Sequence, residues 1–310
     1  MILLLVGFFI WLLLLALLRL CAPLLERWLD QLHPNESSLL LLVILTLPLL
    51  AATLITLELA SPAWSHWFIA SHCHELRQSL ACGQHAPITP HIPVLLAIAS
   101  VLAAGLVVWL LYRLWRAQKT LTTFIALADA HEIRDVYILP SDAPLAFTLG
   151  YWRSRIFLSQ GLLEVCDENS IRSVIEHERA HQLRHDNLRL FVAKLATLPF
   201  FWGVGRLLER LDLTHEQACD WYATGTLEAH EVAASIVQIA RLNRDFADAK
   251  NLYSASFFCR SHVRERVNAL IKNDYPQDAG WRRALITGGS TLMAITLLLD
   301  PLHHWIEWFY

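Results

Sequence analysis

Long apolar runs dominate both ends of the chain, whereas the middle mixes polar and apolar positions. Four runs approach or reach the roughly 20 residues that a helix needs to cross a hydrocarbon core, at about 1–20, 39–60, 94–112 and 284–299. The fourth is short and contains two adjacent glycines, so flanking residues have to complete its crossing. The pattern predicts a mainly α polytopic membrane protein with four transmembrane helices.

The first run also has to be weighed as a cleaved signal peptide. It lacks a basic start, and it has Arg19 and Leu20 where a lipoprotein signal would carry small residues, so a retained span is favoured. A composition of 55% hydrophobic and 17% charged residues agrees with a membrane protein. The net charge of −3 provides no basic excess, so we expect no direct binding of nucleic acid.

Basic residues beside the spans predict the orientation, because they are retained in the cytoplasm. They follow the third run and precede the fourth, as Arg113, Arg116, Lys119, Arg282 and Arg283. The segment 113–283 is therefore expected to be a cytoplasmic domain. The loop 61–93 and both termini, including a short tail within 284–310, are then extracytoplasmic, and 1–112 holds the first three spans.

The cytoplasmic segment contains an H-E-x-x-H motif, from His177 to His181. It follows a helix start at 167–170, and apolar residues at helical spacing precede it. Two histidines four apart share one face of a helix, so both can bind one zinc ion while Glu178 reaches the attacking water as general base. The motif predicts a zinc hydrolase.

Fifteen histidines make a chance match conceivable, so a further ligand has to be found. Catalytic zinc usually takes three protein ligands, and Glu216 on a second predicted helix at 207–226 provides the third. Asp220, four residues on, is expected to accept a hydrogen bond from a ligand histidine, and Asp186 is a weaker candidate for that task. A solvated acidic face is the alternative interpretation of Glu216 and Asp220, and Cys219 is interpreted as a core residue rather than as a thiolate ligand. One Zn²⁺ per chain is expected.

The two motifs together carry a family resemblance. The run His177-Glu-Arg-Ala-His181-Gln-Leu-Arg-His-Asp186 and the run Glu216-Gln-Ala-Cys-Asp220 resemble the paired helices of the BlaR/MecR-type antirepressor metallopeptidases. The similarity covers about 130–275, including 139–163 and the basic run Arg264–Leu270. Membrane proteases of the HtpX and prenyl-protease type share part of the pattern. The Cys219-Asp220 pair favours the antirepressor branch, whereas Gly203 stands where that family tends to have asparagine.

The resemblance implies a zincin-like α+β domain with a small β-sheet, carried in the bacterial inner membrane. It implies cleavage of a cytoplasmic protein, such as a BlaI/MecI-type repressor, or of the protease itself, for which 254–256 is a candidate site. The family's penicillin-binding sensor domain is expected to be absent. A quality-control protease and a zinc-stabilised sensor or scaffold are the rival interpretations. The sequence leaves the oligomeric state open.

Three further hypotheses concern substrate and signal. The segment Arg155-Ile156-Phe157-Leu158-Ser159 is predicted either as an edge strand that pairs with substrate or as an ordinary core strand. His215 and Tyr222 are candidate oxyanion donors. The extracytoplasmic loop is predicted to close through a Cys73–Cys82 disulfide or to bind a sensed metal through some of its histidines, which are His66, His72, His74, His85 and His91.

Overall fold

The computed structural model describes residues 2–60, 92–130, 135–249 and 262–272, together with Arg282, 285–290 and Met293. The helices are α1 (Ile2–Leu29), α2 (Pro34–Ala60), α3 (Ile92–Leu127), α4 (Gln160–Val165), α5 (Glu168–Arg184), α6 (Asp186–Ala196), α7 (Gly205–Ala223), α8 (Ala229–Ala249) and α9 (Val263–Lys272). The strands are β1 (Asp129–Ala130), β2 (Val136–Leu139), β3 (Ala146–Leu149) and β4 (Arg155–Ser159). The expectation of a mainly helical chain with a small sheet is confirmed.

Two helices in the described part of the chain are long and apolar enough to cross a membrane. These spans are Gly7–Leu29 in α1 and Pro34–Thr56 in α2, and they overlap the first two predicted runs, at about 1–20 and 39–60, with different ends. Exposed leucines and phenylalanines cover much of α1, as expected for a helix surrounded by lipid. The third and fourth spans stay predictions, and most of the fourth run lies outside the described residues.

The third predicted run lies within α3, which continues well past the predicted end at 112. No glycine or proline interrupts the chain between 106 and 127, so the 36-residue helix extends over roughly 54 Å. Its last turns pack on the sheet through Leu121 and Phe124. The same helix therefore joins the third predicted span to the domain that follows it.

The sheet has the order β1-β2-β4-β3, with β2 parallel to β4 and β3 antiparallel to it. The strand Arg155–Ser159 is thus internal, and its interpretation as a substrate-binding edge strand is wrong. The physical reason lies in its composition, because the run Ile156–Ser159 is buried throughout, as an internal strand requires. The free edge on this side of the sheet belongs to β3.

Helices cover both faces of the sheet. Phe157 packs on the end of α3, with Phe124 and Phe147 around it. Ile156 and Leu158 point to the other face and pack on Val174 and other apolar residues of α5. The packing against the sheet therefore fixes the position of α5 and of the polar residues that the helix carries.

A second core joins the two apolar helices to the domain. Leu29, Leu40 and Leu41 of α1 and α2 pack against Leu207 and Leu211 of α7, and all five are fully buried or nearly so. The domain division at residue 112 stays a prediction, but the core itself runs across it.

Candidate metal centre

Helix α5 presents the two histidines of the motif on one face, next to each other. His177 and His181 lie one turn apart, with their rings at 82° and their Nε2 atoms 3.2 Å from each other. Ile175 lies on the opposite side of α5 from His177 and is buried against the sheet, and Val174, one turn before His177, is buried in the same cluster. The packing of α5 on the sheet thus directs both imidazoles to the side of the helix that faces away from the sheet.

Glu216 of α7 completes a group of three metal-ligand atoms. Its Oε2 lies 3.4 Å from His177 Nε2, and its Oε1 lies 3.4 Å from His181 Nε2. Zinc bonds of about 2.0–2.1 Å in a tetrahedral arrangement put neighbouring ligand atoms roughly 3.3 Å apart. The spacing and the two-nitrogen, one-carboxylate donor set therefore fit Zn²⁺, with one position left for water or substrate.

His177 is supported by a carboxylate and an arginine. Its Nδ1 lies 2.9 Å from Asp220 Oδ1, although the angle leaves that nitrogen without a well-formed hydrogen bond. Arg266 of α9 donates to both Asp220 oxygens, at 2.6 and 2.7 Å, and lies 2.7 Å from Glu216 Oε2. The guanidinium of Arg266 thus balances the charge of the candidate ligand Glu216 and that of Asp220, which supports His177.

His181 has a corresponding support on its other side. Its Nδ1 lies 2.9 Å from Asp186 Oδ2, which also receives Arg184 Nε at 3.2 Å. The turn between α5 and α6 makes this contact possible, because His185 adopts a left-handed conformation with φ 54°. Asp186 then opens α6 and folds back on a histidine only five residues earlier.

The general-base candidate Glu178 lies on the sheet side of the histidines and is buried. Thr148 of β3 has its hydroxyl 2.8 Å from Glu178 Oε2 and 2.9 Å from the Glu178 carbonyl oxygen. The hydroxyl can donate to either oxygen. Thr148 therefore ties the free edge of the sheet to the motif helix and limits the rotamers open to Glu178.

Burial and charge oppose each other within this group. Burial favours neutral imidazoles, yet the neighbouring carboxylates Asp220 and Glu216 outweigh it and raise the pKa of His177. Burial likewise acts to raise the pKa of Glu216, but the Arg266 charge and the histidines hold it well below its usual range. Glu216 is therefore ionised, as a metal ligand has to be.

A match to a known family agrees with this geometry. The sequence model of peptidase family M48 matches residues 114–265, just under half of the chain, and that range contains both motif helices. The match supports the M48 metallopeptidase family. No curated protein matches the chain. The BlaR/MecR-type resemblance is a finer assignment than this match carries.

The structure thus brings together the predicted ligands His177, His181 and Glu216, and the predicted supports Asp220 and Asp186. The two candidate oxyanion donors are not brought into this group. His215 is buried against Asp186, 3.6 Å away, and burial lowers its pKa to about 4. Among the described residues, no hydrogen bond or ion pair joins the exposed Tyr222 to the ligands.

Cys219 lies behind the ligands rather than among them. Its thiol donates to Asp186 Oδ2 at 3.4 Å, and burial raises its pKa to about 12. Sγ, Asp186 and His181 are near enough to one another to be a second metal-ligand group. A protonated thiol is a poor ligand, however, so the contacts favour a hydrogen-bonded support for His181.

Three residues of the centre escaped the sequence interpretation: Thr148, Arg184 and Arg266. Thr148 and Arg266 reach the site from distant parts of the chain, and only the basic run Arg264–Leu270 gave a signal for Arg266, through the family resemblance. Arg184 lies on the motif helix itself, within the run His177–Asp186, but its contacts could not be read from that run. The predicted loop residues, which are Cys73, Cys82, His66, His72, His74, His85 and His91, lie outside the described residues. The candidate cleavage segment 254–256 lies outside them as well.

Proposed function

We propose that the protein is a membrane-embedded zinc endopeptidase. The observation that carries the proposal is the set of three ligand residues, His177, His181 and Glu216, whose nearest donor atoms lie 3.2–3.4 Å apart. The buried carboxylate of Glu178 is next to His177 in sequence. Two apolar helices of membrane-spanning length, packed on the domain that holds this set, support the membrane location.

Each side chain of the centre has a separate role in the proposed peptide hydrolysis. When bound, Zn²⁺ supplies Lewis acidity that polarises the scissile carbonyl and activates the attacking water. Glu178 accepts the proton of that water and returns it to the leaving amine, a contribution of about 10²–10⁴-fold in rate. Thr148 keeps the carboxylate in position, and Arg266 and Asp186 keep the ligands in theirs.

The free edge of β3 provides a place for an extended substrate. Leu145 O accepts from Ser159 N at 2.9 Å, so by antiparallel alternation Phe147 and Leu149 also face β4. Ala146 and Thr148 then direct their backbone groups to the free edge, where Asn187 Nδ2 already donates to Thr148 O at 2.8 Å. A substrate strand that pairs here runs beside Glu178.

The proposed substrate is a cytoplasmic protein, namely a BlaI/MecI-type repressor or the protease itself, and the proposed role is transmembrane signalling. The metal centre lies at the end of α2 that follows the short turn after α1, since Arg184 donates to Ser38 Oγ at 2.8 Å. The basic residues beside the predicted spans orient this end toward the cytoplasm. Bacterial inner-membrane location and extracytoplasmic termini belong to the same proposal.

A quality-control protease is the second candidate. It is favoured by the family match, which is to peptidase family M48 and names no signalling role. The two candidates differ in selectivity, because a signalling protease cleaves a co-expressed repressor at one position. A quality-control protease instead degrades misfolded membrane proteins at many positions.

The peptidase proposal is tested with Glu178→Gln in the full chain, purified in lipid nanodiscs with zinc. We expect one zinc per chain in both proteins and a loss of about 10²–10⁴-fold in the rate of fragment formation from an unfolded test protein. The matched control is Glu176→Gln, which removes a carboxylate paired with Arg179 on the same helix, at 2.8 Å. Equal cleavage by wild type and Glu178→Gln would overturn the proposal.

A further inference from the structure

The connection between α6 and α7 is apolar and lies uncovered on the surface. It comprises residues 197–204, here called the hairpin tip, and includes a short 3-10 helix, Leu198–Phe200. Leu198, Phe201 and Trp202 expose 45%, 58% and 68% of their surface. A cluster of large apolar side chains at a turn marks an interaction surface, since turns facing water are usually polar.

Two hydrogen bonds fix the hairpin tip beside the candidate span in α1. Trp11 Nε1 donates to Ala196 O at 3.0 Å, and Arg19 Nη1 donates to Gly203 O at 2.8 Å. At the other end of the contact, Arg206 pairs with Glu26 at 3.1 Å. Helix α7 therefore runs parallel to α1, and the hairpin tip lies beside its middle rather than beside its charged end.

The depth of the hairpin tip in the membrane follows from the rise per residue of α1. Measured from Leu29, where the candidate span Gly7–Leu29 ends, Arg19 and Trp11 lie roughly 15 and 27 Å along α1. Measured from residue 20, where the apolar run of the sequence ends, Trp11 lies roughly 14 Å along the helix and Arg19 lies at the boundary. A hydrocarbon core is about 30 Å thick. If α1 crosses the membrane, the hairpin tip lies within the hydrocarbon, and Leu198, Phe201 and Trp202 face acyl chains.

The backbone of the hairpin tip is suited to that environment, where unpaired polar groups are costly. Phe200 N and Gly203 N donate to Thr197 O and Phe200 O at 3.0 and 2.9 Å, while Trp11 and Arg19 satisfy carbonyls at its two ends. Gly203 is required, because a Cβ there would lie 2.0 Å from the Phe200 ring. The packing of the Phe200 ring thus explains why glycine occupies position 203, where the resembling family tends to have asparagine.

Charges near the hairpin tip are also accommodated. Lys194 is the one charged residue of the sequence 190–204, and its charge partly counters the burial that raises the pKa of Asp212, further from the tip along α7. A long lysine side chain can reach toward the headgroups in this way while its stem stays in apolar surroundings. Arg19 interrupts the apolar run of α1, and its guanidinium donates the hydrogen bond to Gly203 O.

We propose that the α6–α7 hairpin is a re-entrant membrane element whose tip is covered by lipid acyl chains. This inference rests on the proposed membrane location of α1. Its consequence concerns the metal centre, because Glu216 follows Gly203 on α7 by 13 residues, or roughly 20 Å. The hairpin then holds Glu216 at the membrane surface. The metal centre can therefore reach peptide bonds that lie close to the bilayer.

The test is photolabelling of the full chain in lipid vesicles with a lipid-soluble aryl diazirine, followed by mass spectrometry of the adducts. The tip residues Leu198, Phe201 and Trp202 are compared with Leu13 and Leu17 of α1 as the lipid reference. Trp152 and Val165, both more than half exposed outside the apolar helices, are the aqueous reference. We expect tip labelling within about threefold of α1 and about tenfold above the aqueous reference.

The outcomes separate this inference from the function on which it rests. Labelled α1 with an unlabelled tip overturns the re-entrant hairpin and leaves the membrane protease intact. Labelling of neither segment overturns the membrane location as well. A tip that is protected in vesicles but cross-links to a second copy of the chain would assign the surface to a protein interface, and would also overturn the inference.

Discussion

The two histidine ligands are held by supports of the same chemistry but different anchorage. Behind His177 lie Asp220 and then Arg266, and behind His181 lie Asp186 and then Arg184. We call these the C-terminal arm and the membrane arm. The first ends on α9, near the end of the matched domain, and the second ends on α2, one of the two candidate spans.

The arms differ in how their charges are balanced. Arg266 bridges two carboxylates, so in the C-terminal arm one cation neutralises both Asp220 and the ligand Glu216. In the membrane arm, Asp186 faces Arg184 and also Arg189 at 3.7 Å, and Arg184 continues to the neutral side chains of Asn35 and Ser38. The first arm therefore depends on a single side chain, whereas the second shares its charge among several.

This difference has a functional meaning within the proposed signalling role. A displacement of α2 changes the contacts of Arg184, and through Asp186 it reaches a zinc ligand without crossing the sheet. The C-terminal arm has no such connection to the candidate spans among its described contacts. In the proposed signalling role, the membrane arm is the support that a movement of α2 adjusts, and the C-terminal arm is the one that such a movement leaves in place.

The largest expected effect is the loss of the single cation in the C-terminal arm. Arg266→Met leaves Asp220, 1% exposed, and Glu216 without their partner, which destabilises a buried pair by about 3–5 kcal/mol. We expect the thermal midpoint of the zinc-free protein to fall by roughly 10 °C. Arg184→Met is the matched comparison, and we expect less than half that fall because Arg189 remains near Asp186. Equal falls would contradict the proposed difference between the arms.

Much of the centre was predictable from local sequence. The H-E-x-x-H spacing fixes His177, Glu178 and His181 on one helix, and the spacing from Glu216 to Asp220 does the same on another. Periodicity could not reveal Arg266, because its role depends on the packing of α9 against α7. Thr148 was hidden for the same reason, since it reaches Glu178 only after the sheet has formed.

The fold was predictable to a similar degree. Apolar run length identified α1 and α2, for which hydrophobicity alone is a sufficient signal. The strand Arg155–Ser159, with its apolar centre Ile156–Leu158, fitted an edge or a core position equally well, and only its pairing with two neighbouring strands distinguishes the two positions. The packing of α1 against α7 had no sequence signal, because leucines that face lipid and leucines that face a helix look alike.

A smaller effect is expected from the carboxylates behind the ligands. Asp220→Asn and Asp186→Asn each weaken the hold on one histidine, and such changes lower metal affinity by about 10–100-fold. Competition with a zinc chelator measures both in the full chain. Asp245→Asn serves as control, because it removes an exposed carboxylate that pairs only with Arg244 among the described residues. If either variant binds zinc like wild type, its arm does not support the ligand.

The smallest effect, and the most specific one, is expected at the junction between the membrane arm and α2. Ser38→Ala removes the hydrogen bond that Ser38 Oγ accepts from Arg184 at 2.8 Å and the one that it donates to Asn35 O at 2.9 Å, each worth about 0.5–1.5 kcal/mol. We expect a fall of the thermal midpoint by a few degrees and a loss of zinc affinity that does not exceed about tenfold. The neighbouring Ser37 is a matched control, since its buried hydroxyl finds no hydrogen-bond partner among the described residues. Ser37→Ala should leave both quantities unchanged or raise the midpoint. If the two variants behave alike, α2 has no special connection to the zinc ligand, and the arms differ in charge balance alone.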